Sequence, residues 1–140
     1  MRTIMALAFV FAMNSATADV YDSIALTAFD YMEGWYSGDA AQMERALHPD
    51  LVKRRPHTDA DGRKRLHNMG ALRLVQLVRS GGGTGTPEAN RMKEVVILDV
   101  HGDVASVKVI MHGWIDYLHM ARLDGQWLIV NVLWDLREAD

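Results

Sequence analysis

No cysteine occurs among the 140 residues. That absence excludes disulfides, thiol catalysis and any cysteine-held metal site, and leaves the fold to depend on its apolar core. Charge of one sign is also missing: the formal net charge is −3, too balanced to give an electrostatic footprint for nucleic acid. Nowhere do eighteen consecutive apolar residues occur, so no segment reads as a membrane span. No HExxH is present, the glycine-rich run SGGGTGTPEAN (80–90) lacks the lysine of a phosphate loop, and the segment from His57 through Asp59, Asp61 and Gly62 fails as a calcium loop because its twelfth position is Asn68. No metal and no cofactor are expected.

What is present begins with MRTIMALAFVFAMNSATA. A basic Arg2, an apolar run from Ile4 to Met13, and small residues at 16 and 18 make this the pattern of a secretory signal peptide cleaved before Asp19. The expectation is an exported, periplasmic protein whose mature part, 19–140, is a single domain with no membrane association after cleavage. Losing Arg2 makes the net charge one unit more negative. Lys53, Arg54, Arg55, Arg63, Lys64 and Arg65 form a local basic patch, interrupted by Asp59 and Asp61, that reads as a solvated hairpin.

Ile24, Ala28, Tyr31, Met32 and Trp35 recur at three- and four-residue spacing, which predicts an amphipathic helix over 22–37. A second short helix is expected from an Asp39 N-cap to Leu47, stopped by Pro49, where His48 sits at the helix end. Residues 51–69 read only as two short polar strands around Asp61-Gly62. A third helix is expected over 70–79, with a broad stripe of Leu72, Leu74, Val75, Leu77 and Val78. The run 80–90 reads as a flexible connection. Turn pairs at Gly102-Asp103, Gly113-Trp114 and Asp124-Gly125 divide the last third into an antiparallel meander of four strands.

Counting outward from two-residue turns gives the expected register. Leu98 then faces Val107, Glu94 faces Met111, Met111 faces Asp116, and Leu118 faces Asn131. Asp116 and Asn131 thus fall on the inner face with Glu94, Met111, Leu118 and Trp127. The outer face carries Ile110, Tyr117, His119, Val130, Val132 and Trp134, an apolar patch that predicts a homodimer.

DYMEGWYSGDAAQMERALHPDLVKR and VASVKVIMHGWIDYLHMARLDGQWLIVNVLW resemble the family labelled putative lumazine-binding, within the nuclear transport factor 2-like superfamily that also holds SnoaL-like and ketosteroid isomerase-like folds. Together they cover about half of residues 19–140. The resemblance implies an α+β cone: three helices packed on a curved antiparallel sheet, an interior pocket, and commonly a dimer. Enzymes on that fold, such as steroid isomerases and dehydratases, place one or two carboxylates or a histidine inside, although a shared fold does not fix an activity.

Asp116 is therefore the candidate catalytic group, since a carboxylate in an apolar cavity can exchange protons near neutrality. A structural aspartate bonded to Asn131, Tyr31 or backbone remains the alternative. Tyr31, Trp35, His67, Glu94, Met111, Leu118, Trp127 and Asn131 complete the expected pocket, although plain core packing is the favoured account of Tyr31 and Trp35. Three functions stay open: a binding module for a small apolar or aromatic ligand, a cofactor-independent enzyme in which Asp116 shuttles a proton while Tyr31 or Asn131 stabilises an oxyanion, and an interaction domain whose cone is filled by Trp35, Trp127 and Met120.

Overall fold

The computed structural model describes residues 3–138, with side chains described from Ala16 onward. The expected leader thus falls largely outside the described side chains, and Met1 and Arg2 outside the described residues altogether. Its backbone from Thr3 onward runs into α1, a helix spanning Thr3–Ser37. No helix among the described residues is long and apolar enough to cross a membrane.

The helical half follows the apolar spacing. Ile24, Ala28, Tyr31, Met32 and Tyr36 of α1 are buried on one stripe. α2 (Ala40–Ala46) starts on Asp39, whose carboxylate accepts the Gln42 N–H at 3.0 Å, and ends a residue before the expected stop. Leu47 already opens β1 (Leu47–Thr58), so Pro49 lies inside a strand and His48 is a strand residue rather than a helix end. Asp30 holds Arg45 through both carboxylate oxygens, at 2.9 and 3.0 Å, and that guanidinium keeps the Asp30 carboxyl below its usual range. α3 (Ala71–Arg79) buries Ala71, Leu74, Val75 and Val78.

The sheet has six strands in the order β2-β1-β6-β5-β4-β3, with β2 at Lys64–Gly70, β3 at Lys93–His101, β4 at Val104–Met111, β5 at Trp114–Leu123 and β6 at Gln126–Leu136. Four of the five strand pairings are antiparallel as expected, but β1 runs parallel to β6, so the sheet is mixed. Pro56 is tolerated in β1 because it lies beyond Arg54, the last β1 residue paired with β6. The three helices cover one face of this sheet and enclose the core.

Three local features change the expected register. Gly113, at φ +90°, takes the second position of a turn made by His112-Gly113, and Trp114 becomes the first residue of β5, opposite Met111. The shift from the expected pairing is two residues, which preserves the faces, so Asp116 does point inward and is fully buried. Leu98 is an extra residue in β3, between the pairs Ile97–Val107 and Asp99–Ser106. Beyond that bulge the faces of β3 exchange. Val95 and Ile97 pack on the core, and Glu94 is exposed instead of lining a pocket.

Val130 is the extra residue in β6, between the pairs Met120–Ile129 and His119–Asn131. Past it Val132 and Trp134 turn inward, away from the expected dimer face, whereas Asn131 and Leu133 turn outward. Asn131 accordingly leaves the expected pocket: it accepts a bond from Arg54 at 3.1 Å and lies 3.3 Å from His119 Nδ1 on the outer face. Ile110, Tyr117, His119 and Val130 stay outside, joined by Leu133.

Candidate functional site

Asp116 comes from β5, Tyr31 from the buried stripe of α1, and Lys53 from β1, where it alternates with buried Leu51. These three side chains meet at one point. Tyr31 donates its hydroxyl proton to Asp116 Oδ2. Lys53 Nζ donates to the same oxygen at 2.8 Å and to the Tyr31 hydroxyl oxygen at 2.5 Å. Asp116 is 0 % exposed and Lys53 8 %, so this is an ion pair with a phenol in a nearly dry environment.

Burial dominates the titration of Tyr31 and Lys53. It pushes the Tyr31 phenol well above 10, with the neighbouring Asp116 carboxylate adding to the shift, so Tyr31 is a neutral donor. Burial also pulls the Lys53 ammonium below its usual value, against the opposing attraction of Asp116. Asp116 Oδ1 is buried with no hydrogen-bond partner among the described residues. Two of the three N–H groups of the Lys53 ammonium are engaged, leaving one donor.

Beside the triad lies a cavity of about 170 Å³. Tyr31 and Lys53 are its polar lining, and the remainder is apolar: Trp35, Met43, Met69, Leu74, Leu77, Met111, Trp114 and Trp134. The three indoles form a continuous wall, Trp35 edge-on to Trp114 at 5.8 Å and Trp114 edge-on to Trp134 at 6.5 Å. Lys53 Nζ sits 4.8 Å from the Trp134 ring centre and 5.3 Å from that of Tyr31, a position in which ring faces partly replace the water an ammonium has lost.

The glycine run closes the wall from behind. Gly83 is buried, and a Cβ placed on it would press on the Trp35 carbonyl and come within 2.5 Å of Trp35 Cδ1 and Nε1. A Cβ on Gly82 would reach 2.8 Å from Trp35 Cη2. The run expected to be a flexible connection is a fitted backing for the Trp35 ring, and the glycines are there because backbone must touch indole.

Of the expected pocket residues, Tyr31, Trp35 and Met111 line the cavity, and Asp116 stands behind it, held by Tyr31 and Lys53. Leu118 and Trp127 are on the inner face but packed into the core away from the cavity. His67 is exposed on β2 opposite Arg55, two pairs beyond Lys53–Met69, with its ring centre 6.3 Å from that of His57 in an edge-on arrangement. It has the right face and the wrong depth. Lys53, Trp114 and Trp134 were not expected here. The alternation Leu51, Lys53 carried the signal for the first, but the surrounding KRR made it look like part of a solvated patch.

Residues 19–135 match the family model described as putative lumazine-binding. No curated protein matches the chain. Among solved structures it is similar to an NTF2-like protein of unknown function from Shewanella baltica OS155, at 16 % identity over 87 % of this chain and 97 % of that one, with a TM-score of 0.64. An NTF2-like protein of unknown function from Methylobacillus flagellatus KT gives 22 % identity, 85 % and 93 % coverage and a TM-score of 0.62. A ketosteroid isomerase-like protein from Erwinia carotovora atroseptica SCRI1043 gives 16 % identity, 84 % and 96 % coverage and a TM-score of 0.61. At these identities the structures share the fold, an NTF2-like cone.

Proposed function

Because the chain belongs to the putative lumazine-binding family and carries a small apolar cavity with a single polar end, we propose that it is a small-molecule-binding domain whose ligand is one apolar or aromatic ring bearing one hydrogen-bond acceptor. The observation that carries this reading is the unused Lys53 N–H at the edge of a chamber walled by three indoles. An acceptor on the ligand would take that N–H, and the ring would replace water against Trp35, Trp114 and Trp134. The size agrees: an engineered apolar cavity of about 150 Å³ holds benzene, whereas drug-sized ligands use roughly 300 Å³ or more.

A pteridinedione such as lumazine fits this chamber poorly. Its edge carries two carbonyls, two N–H groups and two ring nitrogens, and each one buried without a partner costs about 1–3 kcal/mol. Against methionine, leucine and indole walls most would stay unpaired. In a thermal-shift panel, benzyl alcohol at millimolar concentration is expected to raise the melting temperature and lumazine is expected not to. Stabilisation by lumazine alone would overturn the size and polarity reading.

Proton transfer at Asp116 is a second reading, favoured by its partnerless Oδ1. It ranks lower because Asp116 stands behind Tyr31 and Lys53 instead of lining the cavity.

Export and dimerisation belong to the same proposal. The leader pattern supports cleavage before Asp19, which the intact mass of protein recovered from a periplasmic extract would test. Tyr117 and Leu133 are 46 % and 48 % exposed on the outer face, apolar surface that a second copy would cover. Sedimentation equilibrium is expected to show a dimer, and Tyr117→Glu combined with Leu133→Glu is expected to give monomers; a monomeric wild type would remove the dimer from this account.

A further inference from the structure

We propose that Lys53 is a covalent anchor, forming a reversible imine with small apolar aldehydes or ketones that enter the indole-walled cavity. This rests on the binding reading above and deepens it, because it names the acceptor as a carbonyl.

The chemistry needs an amine that can be neutral, a carbonyl carbon held against it, and groups to move two protons. Lys53 lines the cavity, and burial already disfavours its charged form. Asp116 Oδ2 lies 2.8 Å from Nζ, within reach of the ammonium proton. Tyr31 bridges the amine and the carboxylate, with its hydroxyl oxygen 2.5 Å from Nζ. Exposed lysines share none of this arrangement: Lys93 pairs with Glu33 at the surface, and Lys64 is exposed.

The steps balance as follows. The Lys53 ammonium passes one proton to Asp116, giving amine and carboxylic acid. The amine adds to the carbonyl carbon, forming a C–N bond while the C=O π pair moves to oxygen. A second proton moves from nitrogen to that oxygen, by way of the Tyr31 hydroxyl. The Tyr31 hydroxyl, which lines the cavity, then gives its proton to the leaving hydroxyl and takes the proton held by Asp116, water departs, and the C=N bond forms. The product is a cationic iminium beside a restored carboxylate, so net charge is unchanged and one water is released. The iminium keeps the position of the ammonium it replaces, paired with Asp116 and over the Trp134 ring.

The test treats the full protein at pH 7 with benzaldehyde and sodium cyanoborohydride, followed by peptide mapping. Hydride adds to the iminium carbon and fixes a benzyl group on the lysine that formed it. The expected result is a benzyl adduct on Lys53 at least tenfold above that on Lys64, Lys93 or Lys108, lost in Lys53→Arg and suppressed by excess benzyl alcohol. Benzyl alcohol, which binds but forms no imine, keeps the two readings apart. If it raises the melting temperature while Lys53 stays unmodified, the covalent proposal is overturned and the binding reading stands. If it does not bind and labelling is spread evenly over the lysines, both fall.

Discussion

Asp116→Ala is expected to destabilise the protein by about 3–5 kcal/mol, because it strands the Lys53 ammonium in a dry cavity and leaves the Tyr31 hydroxyl without its acceptor. For a domain of this length that corresponds to a fall of roughly 10–20 °C in melting temperature. The cost comes from the charge left behind more than from the attraction lost. Replacing the whole polar cluster together, as Lys53→Met, Tyr31→Phe and Asp116→Leu, should therefore recover most of the loss, since a buried ion pair exchanged for well-packed apolar groups is often neutral or stabilising. Urea denaturation of the single and triple variants checks this. A triple variant no more stable than Asp116→Ala would mean the cluster holds the fold together in a way that apolar packing cannot replace. If the triple variant folds but no longer binds benzyl alcohol with wild-type affinity, the cluster is present for the ligand and not for stability.

Gly83→Ala is expected to cost about 1–3 kcal/mol, although it only adds one methyl group to what looks in sequence like a loop. The new Cβ meets the Trp35 carbonyl and indole from behind, and Trp35 is held in front by Trp114, so neither neighbour can yield without displacing the other. Gly85→Ala is the control: a Cβ there meets nothing within 4 Å, and the variant should match wild type. The cavity should change with stability, because moving Trp35 breaks the indole wall. Denaturation curves for the two variants, read by tryptophan fluorescence, distinguish a fitted backing from a slack connection. Equal stability of the two would return the run to the latter.

The elements were legible in the sequence wherever a period was long and clean. Tyr31 and Trp35 on one helix stripe, the turns at Gly102-Asp103 and Asp124-Gly125, and the inward aspartate followed from spacing alone. Asp116 held its face because the error at Gly113 was two residues, and side chains alternate with a period of two. Glu94, Asn131, Val132 and Trp134 changed faces because single-residue bulges at Leu98 and Val130 shift the count by one, and a bulge leaves no residue signature strong enough to count from. Hence the indole wall was hidden: Trp114 read as a turn and Trp134 as an outer residue. Lys53 was hidden for another reason. A buried lysine is rare, and in LVKRRPH its surroundings favour water; the carboxylate of Asp116, 63 residues away, supplies the opposite charge that makes burial tolerable.

The central claim is that Lys53 forms the polar end of an apolar ligand chamber. The direct measurement is a crystal structure of the protein soaked in benzyl alcohol. The account predicts the ring between Trp35, Trp114 and Trp134, with its oxygen about 2.7–3.2 Å from Lys53 Nζ. A chamber closed by its own indoles, with the alcohol absent or bound only on the outer face of the sheet, would contradict it.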